Sequence, residues 1–331
     1  MKKKIEKNEK DLKLQEAINQ LNKKYKKDVI AKGINSIERI PTGIISLDKL
    51  TNGGVPRSRW TMIFGDKSAG KTSLCTQLAG NIIRQGGKVA LIDAEASFDP
   101  EYAKTLGLDV NNLIYNKPDT LEEGATIIQK LAPFVDMVIY DSIVSVSPAA
   151  EMERELEQET RAIIPRKLSQ FFRIVTPVVG KSKAAIILVN QVRVDLNRYG
   201  MKSYPGGNAL GHACGFIMQL WRGSKADAPT NKVNGKDVVN GFKIFAKAAK
   251  SKISDTEGQT VSFNYYYKGE HFRPLDDLFQ MAELFKVIEK SGAWYNYGED
   301  KFQGQQGFIN FMKANPSAVK EIKKAVIEAK L

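Results

Sequence analysis

The chain has 331 residues, 42% of them hydrophobic and 26% charged, with 26 Gly and 12 Pro, a balance that excludes disordered and fibrous classes. Fifty Lys and Arg against 37 Asp and Glu leave a formal charge of +13, which points to a polyanionic partner such as nucleic acid or nucleotide phosphate, or else to a lysine-rich proteome. Two cysteines (Cys75, Cys214) and two histidines (His212, His271) are too few for a disulfide framework or a zinc enzyme, and no apolar run approaches the ~18 residues of a membrane span.

Residues 1–27 hold ten Lys and four acidic residues. Leu14, Ala17, Ile18, Leu21 and Tyr25 fall at helical spacing, which predicts a basic amphipathic helix, either lying on its own core or docking on another subunit. Met1–Lys4 is basic but no apolar stretch follows, so no signal peptide is expected and a cytoplasmic protein is. Asp28–Gly33, with Val29 and Ile30 in polar surroundings, reads as a short linker carrying an exposed sticky strand.

From about Ser36 to Lys268 apolar runs alternate with helix-length segments. The runs are Trp60–Phe64, Val89–Asp93, Met137–Asp141, Ala185–Asn190 and Phe216–Trp221; Thr72–Gln85 and Leu121–Leu131 are the clearest helices between them. Runs that are apolar on both faces and separated by helices predict an α/β fold with a mostly parallel central sheet covered by helices. Gly241–Tyr267 alternates in polarity and reads as an antiparallel extension. A composition shift near Arg273–Pro274 opens a smaller unit. Its predicted parts are a helix over Leu275–Lys290, an aromatic turn or short strand over Gly292–Tyr297, and two helices within Gln305–Leu331 broken at Asn315–Pro316. The expected domains are residues 1–35, 36–270 and 271–331.

The sharpest local signal is Gly65-Asp66-Lys67-Ser68-Ala69-Gly70-Lys71-Thr72, followed by Ser73. It fits G-x-x-x-x-G-K-[ST], a loop whose backbone N–H groups wrap phosphate at a helix N-terminus. A strand precedes it and a helix follows, as the chemistry requires. Lys71 is then placed to reach the β- and γ-phosphates, and Thr72 to ligate Mg²⁺. Asp141 ends an apolar strand and either helps hold Mg²⁺ or caps a turn. Glu95 follows another strand and is either a general base for the attacking water or a surface carboxylate. Gln191 closes a third strand and either senses the γ-phosphate or merely ends the strand.

With those residues in view the chain resembles the RecA family of recombinases along nearly its whole length. The likeness runs in order through Pro41-Thr42-Gly43 to Leu47-Asp48, the phosphate loop, Asp93-Ala94-Glu95, Asp99-Pro100 with Tyr102, and Pro118-Asp119-Thr120. It continues through Tyr140-Asp141-Ser142, Asn190-Gln191-Val192-Arg193, Gly206-Gly207-Asn208-Ala209-Leu210 and Lys250-Ser251-Lys252-Ile253 to Gly292-Ala293-Trp294-Tyr295. The resemblance implies a P-loop NTPase core with an N-terminal helical arm and a small α/β C-terminal domain. It implies ATP and Mg²⁺ as cofactors, and a DNA-dependent ATPase that forms helical filaments on single-stranded DNA and carries out strand exchange with double-stranded DNA. Single-strand-binding and loader proteins are further partners it admits.

Residue roles follow from the same likeness. Glu95 matches the catalytic carboxylate, Asp141 the Mg²⁺-linked Asp, Gln191 the γ-phosphate switch, and Asp99 and Tyr102 the residues that hold adenine. Lys250 and Lys252 match lysines that reach the γ-phosphate of a neighbouring subunit, and residues 25–33 match the docking strand. DNA contacts are implied in two loops, Glu151–Arg166 and Val192–Pro205, with Arg166, Arg173, Arg193, Arg198, Tyr199, Lys202, Gly206, Gly207 and Asn208 as the binding residues. The first loop departs from the family in lacking glycine and in placing Glu at 151, 153, 155, 157 and 159. The second is short, His212 replaces a usual interface Phe, and the acidic tail of bacterial members is not matched. Phe172–Pro177 is similar to phage recombinases, so a phage-encoded member is the expectation. A DNA motor or helicase, a small-molecule kinase, and a nucleotide-regulated filament scaffold are the alternatives.

Overall fold

The computed structural model describes residues 2–25, 36–149, 163–195 and 201–329. The chain divides into two compact units, Met1–Glu38 and Arg39–Leu331. The first unit is the helix α1 (Lys2–Tyr25). Its Leu12, Leu14, Leu21 and Tyr25 are exposed and Ile18 is half-buried, so the predicted helix forms with most of its named apolar residues exposed. The expected sticky strand around Val29 and Ile30 lies outside the described residues.

In the second unit the opening elements are β1 (Arg39–Ile40), α2 (Ile45–Leu50), β2 (Val55–Pro56) and β3 (Arg59–Gly65). There follow α3 (Lys71–Arg84), β4 (Val89–Asp93), α4 (Pro100–Thr105), β5 (Leu113–Asn116), α5 (Leu121–Leu131) and β6 (Met137–Asp141). After them come α6 (Ile163–Lys181), β7 (Ala185–Gln191), β8 (Arg193–Asp195), β9 (Met201–Ser203), α7 (Gly207–Ala213) and β10 (Phe216–Arg222). The remaining strands of this part are β11 (Thr230–Val233), β12 (Lys236–Val239), β13 (Gly241–Ser251) and β14 (Thr260–Tyr266).

Eight strands form one sheet in the order β14-β13-β10-β3-β7-β6-β4-β5. The pairs from β10 to β5 are parallel, while β13 pairs antiparallel with β10 and β14, as the alternating polarity of Gly241–Tyr267 predicts. Successive residues of each central strand go to opposite cores. Ile63, Leu91, Ile139 and Ile187 join α3 on one face; Met62, Ile92, Tyr140 and Leu188 join α6 on the other. That period-2 split explains why these strands read as unbroken apolar runs. The exposed hairpin of β11 and β12, turning at Asn234 and Gly235 with positive φ, is absent from the sequence-based reading.

The C-terminal part holds α8 (Pro274–Leu284), a three-stranded sheet of β15 (Glu289–Ser291), β16 (Trp294–Tyr297) and β17 (Asp300–Gln303), then α9 (Gly304–Ala314) and α10 (Pro316–Glu328). The predicted helix Leu275–Lys290 is six residues too long by the last residue of α8. Lys286 takes a left-handed backbone (φ 56), and Glu289–Ser291 pairs with Trp294–Asn296 instead. This part has its own core around Phe279, Phe308, Met312 and Ile322, joined by Ile45 of α2. Lys49 of α2 donates to the Val326 (2.7 Å) and Ile327 (3.2 Å) carbonyls, satisfying the C-terminal end of α10 with a cation.

Candidate functional site

Parallel strands bring their C-terminal ends to one edge, and the register makes those ends level. Gly65 of β3 pairs with Gln191 of β7, and Asp93 of β4 with Asp141 of β6. Each strand-end residue singled out in the sequence therefore arrives at one rim, where ligands of open α/β sheets bind.

The phosphate loop starts where β3 passes β10. A Cβ on Gly65 would lie 2.0 Å from the Leu220 carbonyl oxygen, so only glycine passes there. Gly70 (φ 85) takes the left-handed turn into α3 and, having no side chain, leaves the first helical N–H groups uncapped, which is the arrangement that receives an anion. Lys71 Nζ donates to the Gly65 (3.0 Å) and Asp66 (2.8 Å) carbonyls and so lies across the loop. Burial lowers its pKa, against the pull of Asp141 and Glu95. Ala69 is buried, while Lys67 and Ser68 are exposed at the loop's tip.

Thr72 Oγ1 donates to Asp141 Oδ2 at 2.7 Å. Burial pushes the Asp141 carboxyl up to about 6, opposed by the Thr72 bond and assisted by the charge of Glu95. A buried acid beside a second acid is a place where a cation is at home. Among the described residues no group of three His, Cys, Asp or Glu side chains is arranged to hold a metal. Thr72 and Asp141 therefore suit an ion that takes most of its ligands from phosphate and water, as Mg²⁺ does.

Glu95 is exposed at the rim, its backbone N–H donating to the Asp141 carbonyl (3.2 Å). Gln191 Nε2 donates to Glu95 Oε1 at 2.8 Å, and Ser145 Oγ donates to the same oxygen at 3.3 Å. Asn190 Nδ2 reaches the Pro205 carbonyl (2.9 Å), so the two ends of the Val192–Pro205 loop are tied at the strand that carries Gln191. Asp93, which the sequence offered only as part of a motif, accepts from the Ser97 and Phe98 amides and the Tyr115 hydroxyl. It shapes the turn on which Glu95 sits.

Asp99 caps α4, accepting from the Glu101 and Tyr102 amides, which fixes the helix that carries Tyr102. The Tyr102 ring is 41% exposed, and its hydroxyl lies 3.1 Å from Ser73 Oγ and 2.6 Å from the Tyr265 hydroxyl. Tyr265 stacks on His271 (5.2 Å, 16°), and His271 Nε2 lies 3.1 Å from Thr105 Oγ1. Sequence reasoning missed Tyr265 and His271; an alternating aromatic strand shows burial but not which tyrosine meets α4.

On the expected DNA side, Arg166 and Arg173 are exposed on α6, seven residues apart and hence on one face of the helix. Arg193 and Lys202 fall on the paired strands β8 and β9. Arg198 and Tyr199, with residues 150–162 of the first loop, lie outside the described residues. Gly206 (φ 108) and Gly207 (φ 68) begin α7, and Asn208 is exposed in its first turn. Lys250 Nζ donates to the Gly211 carbonyl and, at 3.0 Å, to that of Cys214. Within one chain this lysine therefore holds the end of α7, the helix that follows the second loop. Lys252 is bound through its backbone N–H to the Gly215 carbonyl (2.8 Å).

A phosphate loop at the rim of a mostly parallel sheet, with Thr72 and Asp141 beneath it and Glu95 beside it, defines a P-loop nucleoside triphosphatase. The family model described as RecA N-terminal domain matches residues 12–269, and that described as RecA C-terminal domain matches 276–331. Proteins named Protein RecA are similar throughout. That of Thermus aquaticus is 36% identical over 88% of this chain and 85% of its own; that of Geobacter metallireducens is 33% identical over 94% and 93%. The protein of Francisella tularensis subsp. novicida is 33% identical over 95% and 88%. The chain belongs to the RecA family, and is a DNA-dependent ATPase of recombination and repair.

Proposed function

We propose that ATP binds in the loop Gly65–Thr72 with Ser73 behind it, and that Glu95 is the general base for its hydrolysis. The observation that carries this reading is the Glu95–Gln191 hydrogen bond at the strand ends, 2.8 Å long. It joins a carboxylate suited to activate water to the root of a proposed DNA loop. Lys71 counters phosphate charge, and Tyr102, on the helix capped by Asp99, lies against the base. Mg²⁺, when bound through Thr72 and Asp141, neutralises charge on the phosphate oxygens. Glu95 takes the proton of the attacking water, and Gln191 relays the state of the site to Val192–Pro205.

Arg166, Arg173, Arg193, Arg198 and Lys202 pair with DNA phosphates, Tyr199 stacks on bases, and the Gly206–Asn208 turn supplies N–H donors. Lys250 and Lys252 act on the nucleotide of a neighbouring subunit in the filament, as an arginine finger does. The functional parts are a docking arm (residues 1–35), an ATPase core (36–270) and a small C-terminal domain (271–331). The chain works with single-strand-binding and loader proteins in the cytoplasm of a bacterium or of a phage-infected host. Among the described residues no helix is long and apolar enough to cross a membrane.

Glu95→Gln tests the reading. It keeps the shape and the contact with Gln191 but cannot take a proton, so hydrolysis falls by about 10²–10⁴ while ATP and DNA binding persist. Turnover at the unaltered rate removes Glu95 as the base.

A further inference from the structure

Glu95 is held from two directions. Gln191 stands at the root of the second DNA loop; Ser145 stands on the short strap, Ser142–Ala149, that leads from β6 into the first. The proton count fixes the direction of this second contact. An ionised carboxylate only accepts, so Ser145 spends its single proton on Glu95 Oε1. The Ser142 hydroxyl, 2.6 Å from Ser145 Oγ, must then donate to Ser145. A directed chain runs from Ser142, the neighbour of Asp141, through Ser145 to Glu95. With two donors on one oxygen, the rotation of the Glu95 carboxylate is set by both loop roots together.

The far end of the same strap is clipped to α5. Ala149 N–H donates to Glu122 Oε2 (3.1 Å), and Leu121 N–H to the Ser147 carbonyl (3.2 Å). Glu122 Oε1 also pairs with Lys167 (3.0 Å), whose side chain is 33% exposed and which follows Arg166 at the other foot of the first loop. A half-exposed ion pair is weak and is readily exchanged for a phosphate. A polyanion that takes Lys167 from Glu122 thus loosens the clip and, through four residues of strap, the hold on Glu95.

We infer that Ser145 is a positioning residue that restrains Glu95 until the first loop engages DNA, so that hydrolysis requires release from both loops. This rests on the reading of Glu95 as the base. The test measures ATP hydrolysis by the full chain without DNA and with a saturating oligo(dT) single strand. Ser145→Ala raises the DNA-free rate about tenfold or more, as expected for loss of one hydrogen bond to a charged group, and lowers the ratio of stimulated to unstimulated rates accordingly. Ser145→Thr, which keeps the hydroxyl, restores the ratio. An unchanged or lower DNA-free rate in Ser145→Ala, with Glu95→Gln inactive, overturns the restraint and leaves the base in place. Full turnover by Glu95→Gln instead overturns the base, and the restraint with it.

Discussion

Tyr265 approaches Tyr102 across 163 residues of sequence, hydroxyl to hydroxyl at 2.6 Å, and sits at 5% exposure between Phe242 and His271. It holds the phenol of Tyr102, the residue proposed to lie against the base, and stands apart from the phosphate loop. Tyr265→Phe keeps the stack and removes one hydroxyl, so the Kd for ATP should rise about fivefold, the effect of one neutral hydrogen bond, while tripolyphosphate binding stays the same. Equal weakening of both ligands in a titration would assign Tyr265 to general stability. The contrast with Lys71, Thr72, Asp141 and Glu95 shows what a sequence discloses. Those four stand at fixed offsets from strand ends, and parallel pairing puts strand ends together. Tyr265, His271 and Ser145 act through contacts made only by the closed fold, and no local spacing marks them.

At the scale of elements, α2 and α8 meet at a buried carboxyl. Asp277 accepts from Ser46 N–H (2.9 Å) and Ser46 Oγ (2.8 Å), and burial raises its pKa to about 7, with Asp48 adding to the rise and the Ser46 bonds opposing it. Asp48, itself buried, is raised by burial as well. The folded state of such a group prefers the proton, so its contribution to stability is complete below the unfolded value near 4 and is lost as pH rises through about 7. Across that window the slope for Asp277 is at most about 1.4 kcal/mol per pH unit. Asp277→Asn removes the titration. In urea unfolding its midpoint should gain on the parent between pH 5 and pH 8; a constant difference would show that Asp277 is ionised throughout.

The strands of the central sheet were legible because burial on both faces writes itself as unbroken apolar runs, and all five runs match the observed strands to within a residue at each end. The end of α8 was not. Nothing in Phe285–Ile288 breaks a helix by composition, and the left-handed turn at Lys286 with strand β15 behind it is imposed by packing of the small C-terminal sheet. The hairpin β11–β12 was missed for a related reason. Its Asn-Gly turn is a clear signal, but strands exposed on both faces lack the polarity pattern that would frame it.

Over the whole molecule, Glu95 is tied within one chain to the roots of both proposed DNA loops, through Gln191 and Ser145. The resemblance supplies Lys250 and Lys252 from a neighbouring chain. Lys250 meanwhile grips the end of α7, the helix that follows the second loop. On the proposed reading, such a site hydrolyses ATP well only where subunits stand side by side on DNA. The formal +13 of the chain favours that assembly on a polyanion and makes it salt-dependent.

The most direct measurement is the rate of ATP hydrolysis with and without single-stranded DNA over a range of protein concentration, with Lys71→Ala in parallel. The account predicts a rate that DNA stimulates, that rises more steeply than in proportion to protein, and that vanishes in Lys71→Ala. A DNA-independent rate proportional to protein concentration would contradict it, because the site would then be complete within a single chain.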